Sequence, residues 1–159
     1  MPREIEDAMK WFRRINLDGI PALLQNKSTA FLSFVCVVAA IDALAGYRYQ
    51  SARGDRFAQF VREYFPDAYS QHAPKLYLFR CRMLHNFSPA YFSLVHKSPT
   101  LHLQLSKIDD TYLSDDSFFS DMRNAAEKYF AEVRSSSQRQ TDMLARLNDI
   151  QQGGSISVM

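Results

Sequence analysis

LYLFRCRMLHNFSP, residues 76–89, sets charged side chains into an apolar helical pattern, and that conflict points to a helix near the centre of an α-helical fold. Leu76, Phe79, Met83, Leu84 and Phe87 recur at helical spacing, and Arg80 falls within the same stripe, one turn from both Leu76 and Leu84. A guanidinium cannot be neutralised, so burial obliges it to find a carboxylate or meet an anion. Leu78, Cys81, Arg82 and His85 make a second, half-apolar face. A helix packed on two sides belongs at a domain centre or a subunit interface. Pro74 suits its first turn and Ser88-Pro89 its end, so the helix is expected over residues 74–87.

Outward from this helix, period 3.6 dominates. Ile5, Ala8, Met9, Phe12 and Ile15 mark a first amphipathic helix over residues 4–15, with Trp11 at its edge. Asp18 is a candidate cap for a second helical region running to Gly46, with a break near Asn26 to Thr29. Phe31, Phe34, Val35, Val38, Ile41 and Ala45 form its stripe, and Asp42 lies on the edge of that stripe. Phe57, Phe60, Val61, Tyr64 and Phe65 follow a candidate cap at Asp55, and Pro66 ends that helix. After residue 89 the period changes. Phe92 and Leu94, then Leu101, Leu103 and Leu105, alternate with polar residues across a turn at Lys97 to Thr100, which predicts a small β-hairpin at residues 91–105. An acidic loop from Ile108 to Ser114 leads into a long helix with Phe118, Phe119, Met122, Ala126, Tyr129, Phe130 and Val133 on its buried side. Residues 135–141 turn polar, and Met143, Leu144, Leu147 and Ile150 form a weaker terminal stripe. The expectation is a mainly all-α bundle of about five helices with one β-hairpin insertion, a single domain over residues 1–150 and a flexible tail at 151–159.

Composition narrows the classes. At 159 residues and 47% hydrophobic, the chain can bury a substantial core. The formal charge of +2 hides an asymmetry, because residues 48–107 carry nine basic and three acidic side chains. That middle third can attract phosphate, although Arg48, Arg53, Arg56 and Arg62 are equally readable as a solvated helix face. The first ten residues lack the apolar segment of a secretory signal, so cytoplasmic residence is expected. The apolar run from Ala30 to Ile41 is 12 residues long, short of the roughly 20 of a membrane span, and reads as a core helix. Cys36 and Cys81 are expected to be free thiols. No CxxC, HExxH, GxGxxG, GxxxxGK[ST] or GxSxG occurs, so no metal site and no cofactor are expected.

Asp42 and Arg80 satisfy each other's charge if their helices pack together, either as a structural ion pair or as a pair that orients Arg80 toward an anion. His85 is the natural companion, since imidazole exchanges protons near neutral pH. On one helix, residues 80 and 85 differ by about 140°. Two copies of the helix about a two-fold axis would bring two arginines and two histidines into one cleft. Arg82 and Asn86 are supporting candidates. His96 and His102 fall on opposite faces of the predicted hairpin, which argues against a shared metal.

The sequence Arg80-Cys81-Arg82-Met83-Leu84-His85 resembles the motif of the HEPN superfamily, an Arg and a His separated by four to six residues near the end of a helix. The order around it is similar too: a long apolar helix containing IDALAG, a short aromatic helix FAQFVREYF, the motif helix, then a long helix, over about residues 30–135. The resemblance implies a helical bundle that dimerises through the motif helices, in a defence or toxin-antitoxin setting. It implies either a module that binds RNA, nucleotide or a partner protein, or a metal-independent ribonuclease. In the enzyme, His85 would exchange protons with the ribose 2′-hydroxyl or the leaving oxygen, and Arg80 would stabilise the phosphorane. Catalytic members often carry Asn, Asp or His after the arginine. Cys81 stands there instead, a weak hydrogen-bonding group that tilts the reading toward binding. A structural homodimer without ligand is the third expectation.

Overall fold

The computed structural model describes residues 1–50 and 54–152. Its helices are α1 (Arg3–Phe12), α2 (Ile20–Leu23), α3 (Lys27–Tyr49), α4 (Gly54–Tyr64), α5 (Ala73–Asn86), α6 (Asp115–Ser135) and α7 (Ser137–Gln152). The fold is mainly α, a helical bundle with a two-stranded β insertion, β1 (Phe92–Val95) and β2 (Thr111–Ser114), between α5 and α6.

α3 is the axis of the bundle and touches α2, α4, α5, α6 and α7. It is long and apolar enough to cross a membrane by composition, yet Phe34, Val37, Val38, Ile41, Leu44 and Ala45 are buried inside the bundle. Asn26, not Asp18, opens this helix. Its side chain accepts the Ser28 backbone N–H at 3.0 Å and the Ser28 hydroxyl at 2.8 Å, satisfying one of the free donors of a helix start. α3 also runs past Gly46 to Tyr49, because that residue's missing side chain leaves room for Arg146 of α7, 3.3 Å from where a Cβ would stand.

The aromatic stripes behave as the spacing predicts. Phe57, Phe60, Val61, Tyr64 and Phe65 are buried, as are Phe118, Phe119, Met122, Ala126, Tyr129, Phe130 and Val133. Asp55 lies in the first turn of α4 rather than before it. Elsewhere the phase shifts. A π turn at Arg13–Leu17 follows α1, closed by the Asp18 N–H donating to the Arg13 carbonyl at 3.0 Å. The residue it adds rotates the following chain, so Ile15 is exposed and Leu17 takes the buried place. The polar stretch after Ser135 does not break the fold either, since α7 begins at Ser137. Its Met143 is buried, whereas Ile150 is exposed. Residues 153–159, most of the expected tail, and Arg53 lie outside the described residues.

The expected hairpin at 91–105 is replaced by a different pairing. β1 runs parallel to β2, with Phe92 opposite Thr111 and Val95 opposite Ser114, so a strand lies where an acidic loop was expected. Residues Pro99–Leu101 form a 3-10 turn, and the chain from Leu103 to Leu105 runs antiparallel to β2 instead of to β1. The Leu103 N–H donates to the Tyr112 carbonyl and the Tyr112 N–H to the Gln104 carbonyl, both at 2.8 Å.

Candidate functional site

α5 packs on the core through Leu76, Phe79 and Met83, all fully buried. Arg80 sits at the edge of this face and reaches α3. Its Nη2 donates to Asp42 Oδ2 at 2.6 Å, and the two side chains keep 21% and 17% of their exposure. The ion pair expected from the two apolar stripes is present. It is engaged through a single short bond, and both Arg80 Nε and Asp42 Oδ1 are buried without a hydrogen-bond partner. Burial opposes the charge on Arg80, but the hydrogen bond and the negative charge of Asp42 outweigh it and raise its pKa. The pair therefore holds a permanent cation at the bundle surface with a donor unused.

The other face of α5 is open. Leu78 is 46% exposed, Arg82, His85 and Asn86 are exposed, and Cys81 is half-buried. Arg82 and His85 make no side-chain hydrogen bond or ion pair among the described residues. Phe87, which the spacing puts in the buried stripe, is instead the residue that ends the helix in the left-handed region at φ 50°, and its ring is 61% exposed. The backbone is bent there at some cost for a bulky residue. Arg80 and His85 thus belong to different faces of one helix, and one copy of the chain does not bring them together. Cys36 and Cys81 are free thiols, and burial raises the pKa of Cys36.

Arg48 does not extend this surface. Its guanidinium is tied to Glu63 at 3.0 Å and to the Tyr64 hydroxyl at 3.1 Å, so it clasps α3 to α4. Arg56 is near Asp55 and bonds Gln59, whereas Arg62 is exposed. A cavity of about 470 Å³ lies beside the π turn, lined by Arg13, Leu17, Asp18, Arg123 and Glu127. Its arginines are already engaged, Arg13 by Glu127 and Arg123 by the Leu17 carbonyl.

Two polar networks in the β insertion have no signature in the sequence. His102 Nδ1 accepts the Ser114 backbone N–H at 3.1 Å, which places its proton on Nε2, 2.6 Å from the Tyr69 hydroxyl. That hydroxyl donates to Asp121 Oδ2 at 2.8 Å. His96 Nδ1 lies 2.6 Å from Asp115 Oδ2, while Asp115 Oδ1 accepts the backbone N–H groups of Lys97 and Asp116, each at 2.8 Å. The two histidines are held by separate partners, although the hairpin whose opposite faces were expected to separate them does not form. The His96–Asp115 contact follows from the parallel β1–β2 pairing, whereas the His102 network ties the insertion to Tyr69 and to Asp121 of α6. Among the described residues no cluster of three or more His, Cys, Asp or Glu side chains has a metal-binding arrangement.

No known family model matches the chain, and neither a curated protein nor a solved structure is significantly similar to it.

Proposed function

We propose that this chain is a HEPN-like helical module that binds RNA or nucleotide phosphate on the outer face of α5, two copies meeting about that helix. The observation that carries this reading is the face formed by Leu78, Arg82 and His85. It offers an exposed apolar side chain flanked by a cation and an imidazole that no intrachain partner uses. Phosphate recognition needs donors of that kind, and an arginine presents two of them in one plane. Arg80 lies on another face of the helix, held by Asp42 with its Nε buried, so within one copy it does not join this face. In a two-copy arrangement the half-turn between Arg80 and His85 ceases to matter, because each cleft can take the arginine of one copy and the imidazole of the other. A defence or toxin-antitoxin role rests on the resemblance of the Arg80 to His85 motif alone.

The accessibility of His85 favours a second reading, a metal-independent endoribonuclease. There the imidazole takes the proton of the ribose 2′-hydroxyl as its oxygen attacks phosphorus. The bond to the 5′-oxygen breaks, the leaving oxygen takes a proton from an imidazolium or water while the His85 proton is given up to solvent, and the products are a 2′,3′-cyclic phosphate and a 5′-hydroxyl. Incubation with mixed-sequence RNA in EDTA tests both readings. RNA retention without cleavage, weakened in His85→Ala and Arg80→Lys, is the expected result for a binding module. Cyclic-phosphate products from wild type that both variants lose would establish the enzyme. Neither retention nor cleavage by wild type would overturn the proposal, and equal cleavage by all three proteins would place the activity elsewhere.

A further inference from the structure

A cavity of about 160 Å³ lies between the start of α3, strand β1 and the start of α6, away from the outer face of α5. Ala30, Phe31, Phe34, Leu94 and Val95 supply apolar walls, and Lys27, His96 and Asp115 supply the polar ones. Asp115 is fully buried, and its two oxygens are committed, Oδ2 to His96 and Oδ1 to two backbone N–H groups. Its charge is therefore spent on holding the imidazole. With Nδ1 bound to Asp115, the nitrogen left for the cavity is Nε2, and the ring is fixed in orientation, as a buried carboxylate fixes a working histidine. His96 keeps 23% of its side-chain exposure, and Lys27 is exposed without an ion-pair partner among the described residues.

We propose that this cavity binds a small apolar monocarboxylate. One carboxylate oxygen meets the Lys27 ammonium, the other accepts from His96 Nε2, and the hydrocarbon body lies against Phe31, Leu94 and Val95. Size agrees with that class, since the volume holds about five waters at liquid density and so a ligand of under about ten non-hydrogen atoms. Charge agrees as well. Lys27 of α3 and an imidazolium on His96 face the ligand, and Asp115, which also lines the cavity, has both oxygens already bonded to His96 and to two backbone N–H groups. Asp116 is turned to Ser114 and Ser117, and Lys97 follows β1 with its backbone N–H on Asp115. A bare phosphate would meet the same cations but gain nothing from the apolar walls, whereas a carboxylate with a ring or short chain uses both. The imidazole must carry both protons to donate to Asp115 and to the ligand together.

Nuclear magnetic resonance on the full chain, with sodium benzoate as the probe, tests the site. The expected result is saturable shifts of the Leu94 and Val95 amides and of the His96 imidazole, with a dissociation constant on the order of millimolar for so small a ligand. Lys27→Met and His96→Gln should each weaken it by about tenfold through loss of a charge-assisted hydrogen bond. Lys27 is an exposed side chain, so its variant keeps the test valid should His96→Gln disturb the insertion. Absence of saturable shifts, unchanged affinity in Lys27→Met, or equal binding of inorganic phosphate at the same residues would each overturn the proposal.

Discussion

Arg80 cannot shed its charge, and its place beside Leu76, Phe79 and Met83 makes Asp42 the side chain that decides whether that charge is tolerable. The converse also holds. Arg80→Met fills much of the same volume but strands the Asp42 carboxylate, one oxygen of which is already buried and unpartnered. The expected loss of stability is about 1–3 kcal/mol, less than for a fully buried pair because both side chains retain some solvent contact. Chemical denaturation of the variant measures it, and Asp42→Asn combined with Arg80→Met should recover part of the loss. If Arg80→Met is as stable as wild type, the pair contributes no structural constraint. This pair was legible in the sequence, because two opposite charges on apolar stripes have few alternatives to meeting each other, whereas the exposure of Ile15 and Phe87 was not.

The elements were legible to different degrees. α4 and α6 follow from their aromatic periodicity because each buries one continuous face. The β insertion does not, since its alternation marks residues 101–105 as strand-like without saying which segment they pair with. The choice is made by tertiary contacts, chiefly the His102 imidazole bound between Ser114, Tyr69 and Asp121. The Tyr69 hydroxyl lies at the centre of that contact and is pushed well above the usual tyrosine range by burial first and by the Asp121 charge second. Tyr69→Phe keeps the ring in the core and leaves His102 and Asp121 without their common partner. It should cost about 1–2 kcal/mol and accelerate amide hydrogen exchange in residues 102–114 more than in α3. Uniform exchange in the variant would show that the network does not hold the insertion.

The clasp of α3 on α4 includes Tyr49 beside Arg48, both on Glu63, with Tyr49 donating at 2.5 Å. Burial alone would raise the Glu63 pKa, but the hydrogen bonds of Tyr49 and Arg48 and the charge of Arg48 hold it below the ordinary carboxylate value. A lowered folded-state pKa stabilises above the unfolded pKa of about 4.3, and the benefit is lost as pH falls below that value and through the folded one. Glu63→Gln should therefore be less stable than wild type at neutral pH, with the gap closing under acid. Thermal melts of both proteins across that range check it. A gap that widens in acid would reverse the sign of the argument.

For the whole molecule, the bundle buries its aromatic stripes around α3 and leaves Leu78, near the middle of α5, and Phe87, at its C-terminal cap, exposed. Apolar groups so placed, with Arg82 and His85 between them, suit a second copy of the same helix and an anionic ligand. The dimer was expected from a helix apolar on two faces; in the single chain the second face is the one α5 presents to solvent. The angle of about 140° between Arg80 and His85 around the helix follows from their spacing, whereas the exposure of Phe87 at the helix end did not. Light scattering coupled to size-exclusion chromatography, run in EDTA with a dye-labelled single-stranded RNA and recorded at two wavelengths, tests the central claim most directly. Wild type should elute at twice the chain mass with RNA bound. Leu78→Glu should elute at the chain mass and lose the RNA, because a carboxylate at the contact repels both its symmetry mate and phosphate. A monomeric wild type, or a Leu78→Glu protein that carries RNA as well as wild type does, would contradict the account.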